Sequence, residues 1–354
     1  MMRQILALVC CATAGSAIAA GDLVELGPAP RLDASTQVPL VTGPDAPSSV
    51  VIDPHNRNQV ATAYESIYLP QGAVPIGWNG AVANCMPGTT SAAYHQATID
   101  RVNFYRALAG LPGNITLLGG TPATDTQAAA LMFSANQQLS HSPPNSWACW
   151  TQAGADGAGN SNIALGYGNN AAAGTGAVDL YMDDGGTNNT AVGHRRWVLY
   201  PPQKMMDSGS IPYGPQYAAN ALWVFSGWGM RPPTPNGVAW PPQGYVPWQL
   251  LPSGSNRWSF SWNGANFTGA SISMTRNGVP LAVPGYEAIQ NGYGDNTLVW
   301  RPQGVTYSQP AADVTYHVTI SGIGGGGAPA SIAYDVIVID PTVLGDLIFE
   351  NGFD

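Results

Sequence analysis

The sequence predicts an α+β chain in which helices come first and strands follow. Apolar residues recur at three- and four-residue steps between about 93 and 184, and at two-residue steps with regularly spaced turns after 210. Size supports the same reading. With 354 residues, 45% of them hydrophobic, and 11 Trp and 15 Tyr to bury, the chain can build one large core or two ordinary ones.

The elements follow in order. Residues 21–90, rich in Pro, Val, Thr and Gly, read as an extended N-terminal segment with a few short strands. Ile99, Val102, Tyr105 and Ala109 place one apolar face on a helix over 93–109, which Gly110 and Pro112 stop. A second helix starts with Thr121 as N-cap, Pro122 at N1 and Asp125 in the electropositive first turn. It buries Ala128, Leu131, Met132, Ala135 and Leu139. A third runs from about Thr175 to Asp184 and ends at Gly185-Gly186. Strands are predicted at Ala221–Phe225, Trp258–Trp262, Ser271–Thr275, Thr297–Trp300, Val314–Ile320 and Ile332–Ile339. Their spacing argues for a β-sandwich over 255–341, folding as its own unit, with the Pro-rich stretch 229–254 as linker or interdomain packing segment.

Composition excludes several functions. Charged residues make up 9% of the chain against roughly 25% in an average domain, and the net charge is −9. Lys204 is the single lysine, so no basic stripe exists to bind nucleic acid or an anionic membrane surface. Arg3, the apolar run Ile5–Ala17 and the small residues Ala17–Ala20 form a signal-peptide pattern over 1–20. No later stretch is apolar enough to cross a membrane, so the expected location is secreted, extracellular or periplasmic. Export leaves Cys85 and Cys149, and an oxidising compartment favours a disulfide between them.

Three segments carry chemistry-bearing residues. They are Leu139-Ser140-His141-Ser142, then Ser161-Asn162-Ile163-Ala164, and then Tyr181-Met182-Asp183-Asp184 followed by Gly193-His194-Arg195-Arg196-Trp197. With Asn103 and Arg106 on the first helix, this ordered set resembles the CAP superfamily, which includes cysteine-rich secretory, antigen 5 and pathogenesis-related proteins. The resemblance covers about 91–228 and implies a CAP-type α-β-α sandwich, here followed by an immunoglobulin-like β-sandwich at 255–341 and a tail at 342–354. It also implies a central cleft with two histidines, at His141 and His194, and two acidic positions, which fall at Ser161 and Asp184. That places Ser161, where the family carries a glutamate, among the candidate catalytic residues with His141, Asp184 and His194. His141 and His194 are the candidate ligands of a divalent metal such as zinc, since two imidazoles and one carboxylate leave an open position. The loss of the glutamate removes the general base that zinc-assisted hydrolysis requires.

Other readings of the same residues stay open. His141 has the placement of a cation at a helix C-terminus, and His194 that of a loop hydrogen-bonder. Arg195 and Arg196 are expected to pair with Asp179, Asp183 or Asp184, or to receive an anionic substrate group. The leading function is a non-catalytic extracellular binding module, with a small ligand or cell-surface component as partner. The alternatives are a protease-like metal-dependent hydrolase using His141, His194 and Asp184, and a structural envelope or adhesion protein. The scarcity of lysine beside abundant Ala and Gly points to a bacterial source.

Overall fold

In the computed structural model, which describes residues 23–33, 38, 40–43 and 45–343, the first half of the chain forms one sheet with helices against both faces. The expected signal peptide and residues 344–354 of the tail lie outside the described residues. In chain order the elements are β1 (Leu23–Leu26), α1 (Arg57–Ala63), α2 (Leu69–Gly72), α3 (Ala92–Leu108), β2 (Thr116–Leu117), α4 (Gly120–Asn136), α5 (Gln152–Gly159), β3 (Ser161–Tyr167), α6 (Gly174–Asp183), α7 (Gly193–Val198), β4 (Met205–Ile211) and β5 (Ala218–Trp223). The strand order is β1-β3-β5-β4-β2, with β2 and β4 parallel and the other neighbours antiparallel.

Strand alternation assigns the layers. Ile163 and Leu165 of β3, Ala219 and Ala221 of β5 and Ile211 of β4 pack with α4 and α5 through Ala129, Phe133 and Ala158. The intervening Ala164, Ala218 and Leu222 join Val102 of α3 and Val178 of α6. Gly209 lets α4 lie directly on β4, because a Cβ there would stand 2.2 Å from the Gln127 nitrogen.

Three local expectations are corrected. Residues 57–72 are helical rather than extended, with a π-helical segment, Tyr64–Tyr68, joining α1 to α2. Their apolar set, Val60, Ala61 and Tyr64, fills barely one turn, too short a run to show a period, and tertiary burial holds it. Helix α4 begins at Gly120 behind a left-handed Gly119 (φ +67°), so Thr121 lies inside the first turn and is not the N-cap. The helix ends at left-handed Gln137, which leaves Leu139 beyond it.

The second half holds β6 (Val238–Trp240), β7 (Gly244–Pro247), β8 (Trp258–Trp262), β9 (Ala265–Asn266), β10 (Ser271–Arg276), β11 (Val279–Leu281), β12 (Asn296–Trp300), β13 (Val314–Ser321), β14 (Gly324–Gly325) and β15 (Ser331–Ile339). One sheet has the order β11-β10-β13-β15-β7 and a second the order β12-β8-β6, while β9 and β14 pair alone. Aromatic contacts join the two sheets, Trp258 to Tyr316 at 5.6 Å and Phe260 to Tyr334 at 6.2 Å between ring centroids. The Pro-rich stretch 229–254 is more than a linker. It supplies β6 to one sheet and β7, parallel to β15, to the other. Periodicity could not reveal strands of three and four residues broken by prolines.

One apolar cluster runs through both halves, from Leu26 to Ile339, with Trp240 of β6 against Tyr105 of α3 at 5.3 Å. Buried arginines reinforce the junction. Arg195 donates to the carbonyls of Met182, Asp183 and Arg257 and to Ser259 Oγ. Arg196 donates to the carbonyls of Ala191, Gln290 and Asp295. Arg257 returns two bonds, to the carbonyls of Asp184 and Gly186. The expected pairing of Arg195 and Arg196 side chains with Asp179, Asp183 or Asp184 is therefore corrected: the guanidinium groups clamp carbonyls across the junction. Asp183 instead accepts from the Gly254 and Ser255 nitrogens, and Asp179 is taken by Arg101. The disulfide forms as expected. Cys85 and Cys149 have Cα atoms 5.0 Å apart and tie the segment before α3 to the loop between α4 and α5.

The fan of bonds from Arg195 makes a prediction. Arg195→Ala leaves carbonyls and Ser259 unpartnered at a buried junction, so urea unfolding should show a loss on the order of 3 kcal/mol. Arg195→Lys should recover less than half, because one ammonium cannot span the separate acceptors that a guanidinium fork reaches.

Candidate functional site

Asp184 and His194 are brought together by two short helices and the turn between them. Asp184 is the left-handed C-cap of α6 (φ +56°), and left-handed Val192 (φ +45°) precedes α7, which turns His194 back toward it. His194 Nδ1–H donates to Asp184 Oδ1 at 2.8 Å, and the Arg195 backbone N–H donates to Oδ2 at 3.1 Å. Tyr181, one helical turn before the C-cap, stacks its ring on the imidazole at 5.4 Å and 14°. Its hydroxyl lies 3.0 Å from Asn162 O and 2.8 Å from Asn220 Oδ1, and burial raises its pKa far above the phenol range. Asn162 Nδ2 closes the loop by donating to His194 O. These bonds fix the imidazole's orientation and leave Nε2 without a hydrogen-bond partner among the described residues.

Ser161, Asp184 and His194 have no solvent exposure. Ser161 Oγ and His194 Nε2 are both buried without a hydrogen-bond partner among the described residues. They do not bond to each other. Strand alternation puts Ser161 in phase with Ile163, which packs toward α4 and α5, whereas Asn162 bonds to His194 on the α6 side. Two components of a nucleophile relay are present, and the serine contact that would complete it is not made.

His141 makes its hydrogen bonds outside this pair. Its Nδ1 lies 2.7 Å from Ala158 O and its Nε2 2.7 Å from Pro28 O. Burial lowers its pKa; the two carbonyls oppose this, and a repulsive influence from His194 adds to it. The segment that supplies Pro28 is decisive for access. After β1 pairs with β3, Gly27 lies against Ile163 and Leu139, Ala29 against Gly193, and Pro30 O accepts from Trp197 Nε1. Leu32 N–H then donates to Gly292 O in the second half. Residues 23–33 thus run as a strap over the elements that carry all four predicted residues. Of five surface cavities formed by the described residues, none is lined by His141, Ser161, Asp184 or His194.

The metal expectation fails on the donor set. Both nitrogens of His141 face carbonyls and His194 Nδ1 faces Asp184, which leaves His194 Nε2 as the single idle nitrogen. No group of three or more His, Cys, Asp or Glu side chains that could hold a metal ion occurs among the described residues. These residues do not fit zinc, which takes at least three protein ligands.

Sequence reasoning assigned no role to His95, yet its Nε2 lies 2.7 Å from Oδ1 of the fully buried Asp207. Asp207 also accepts from the Gly119 and Ser208 nitrogens, so this pair anchors the entry to α4. The partners are 112 positions apart, and no local signal links them. Similarly, Asn103 uses its amide to hold Ile115 N–H and C=O beside α3. The chain matches no protein-family model, and no curated protein matches it significantly.

His141 yields a pH prediction. Its folded pKa lies below the ordinary 6.5, so the unfolded imidazole takes up its proton first as pH falls. Its contribution is complete above about pH 7 and is lost as pH drops from 6.5 toward the lower folded value. Thermal melts between about pH 7.5 and 5 should show a declining Tm, and His141→Gln should decline less.

Proposed function

We propose that the chain is an exported bacterial CAP-type protein, an α-β-α sandwich with an immunoglobulin-like β-sandwich attached, that acts as a non-catalytic extracellular binding module. The ordered motifs support the family reading, as does a largely antiparallel sheet with helices on both faces. A disulfide between the two mature cysteines is compatible with export. No described helix is long and apolar enough to cross a membrane.

One observation carries the non-catalytic reading. Ser161, Asp184 and His194 are wholly enclosed beneath residues 23–33, so a substrate bond cannot approach His194 Nε2. The ligand is therefore taken elsewhere on the surface. A latent hydrolase is the second reading, favoured by the 2.8 Å His194–Asp184 bond and the idle Nε2. It requires the strap to leave.

Chemical labelling separates the two. A fluorophosphonate probe should leave the intact mass unchanged, and zinc titrated at about pH 7.5 should give no binding heat. A single adduct on Ser161 that disappears in Ser161→Ala would make the protein a hydrolase. Zinc heat abolished in His194→Ala would restore the metal.

A further inference from the structure

We infer that the groove between α3, α6 and the 68–76 segment is a binding site for neutral saccharide chains, a proposal that rests on the binding-module reading and names its ligand class. The groove holds about 560 Å³, within the 300–1,000 Å³ range of small-molecule clefts.

Its floor is charge-balanced and rigid. Arg101, 2% exposed, donates from Nη1 to both oxygens of Asp179 at 2.7 and 2.6 Å. It also donates from Nε to Gln71 Oε1 and from Nη2 to Tyr68 O, with the guanidinium 3.5 Å from the Tyr68 ring centroid. Asp179 accepts from Tyr105 as well. The one cation and the one carboxylate in the lining thus cancel, and neither is free to recognise a phosphate or an ammonium group.

What remains is neutral and two-sided. Leu69, Val74, Pro75 and Ile76 form an apolar wall. Asn169, Asn170 and Thr175 add neutral polar groups to the lining, with Asn169 Oδ1 accepting from the Ala171 N–H and Asn170 Oδ1 from the Tyr213 N–H. Tyr94, 7% exposed, also lines the groove, and its phenol stays protonated because burial raises its pKa. An apolar wall opposite neutral polar groups matches a pyranose, which presents C–H faces and hydroxyl edges.

An aromatic platform extends the site. Tyr167 lies three positions before Asn170, and the Tyr213 N–H donates to Asn170 Oδ1. Tyr167 is 37% exposed and meets Tyr213 at 5.3 Å and Tyr217 at 5.0 Å between centroids. This tyrosine cluster, joined to the lining residue Asn170 through Tyr213, offers ring surface for a chain longer than the groove.

The test is calorimetric titration of the full-length mature protein with chitohexaose, cellohexaose, maltohexaose and mannohexaose. At least one should bind, and Tyr94→Phe and Tyr167→Ala should each raise its Kd about fivefold or more, the worth of one neutral hydrogen bond or stacking contact. His317→Ala, an exposed change in the second half, should leave the Kd unaltered. Binding of none of the four, or equal binding by both groove variants, overturns the saccharide proposal while leaving the module reading in place. Chromatography of the bound sugar separates the failures: shortened oligosaccharide products would overturn the module reading itself.

Discussion

Asp184 is the residue on which the two halves and the enclosed centre both depend. Its left-handed backbone ends α6, one carboxylate oxygen orients His194 and the other holds the first turn of α7. Its carbonyl accepts from Arg257 of the second half, beside the bonds that Arg195 sends back across the same junction. A buried carboxylate is tolerable because each oxygen is hydrogen-bonded. Removing the carboxylate would leave His194 Nδ1–H and the Arg195 backbone N–H directed at nothing, which is the expensive way to break a buried network.

The same network explains how a catalytic-looking pair can be structural. A histidine oriented by a carboxylate is a general-base geometry, but a base works only within reach of the proton it removes. Here Tyr181 covers one face of the imidazole, and residues 27–30 lie against Leu139, Gly193 and Trp197 around it. The idle Nε2 and Ser161 Oγ are buried polar atoms of the kind that bound water or a later rearrangement satisfies. By contrast, the Arg101–Asp179 pair spends its charges internally and keeps an open groove above it. Preorganised, neutral surfaces of this sort bind by shape and hydrogen bonding.

Helices α3, α4 and α6 were legible because their apolar residues recur over ten or more positions. The alternation of Tyr316, Val318 and Ile320 likewise appears intact in β13, where those three are buried. The disulfide was legible from arithmetic and compartment. Of the candidate site, the order of the motifs put Asp184 near His194, and these two residues meet in a hydrogen bond. Helix 57–72, β6 and β7 were not, since each is too short for a period to register and is stabilised by what it docks against.

The α+β class, the order of the long elements and the cysteine pair follow from local periodicity and composition, and so from the residues alone. Whether the histidines, serine and aspartate form an open centre is set by contacts between distant parts of the chain. That outcome turns on Pro28 meeting His141 across 113 positions and Pro30 meeting Trp197 across 167. It turns equally on Arg195 choosing carbonyls of the second half over the carboxylates beside it in sequence. Such contacts are chosen by the burial and hydrogen-bond satisfaction of the whole fold, and no local stretch of residues encodes them.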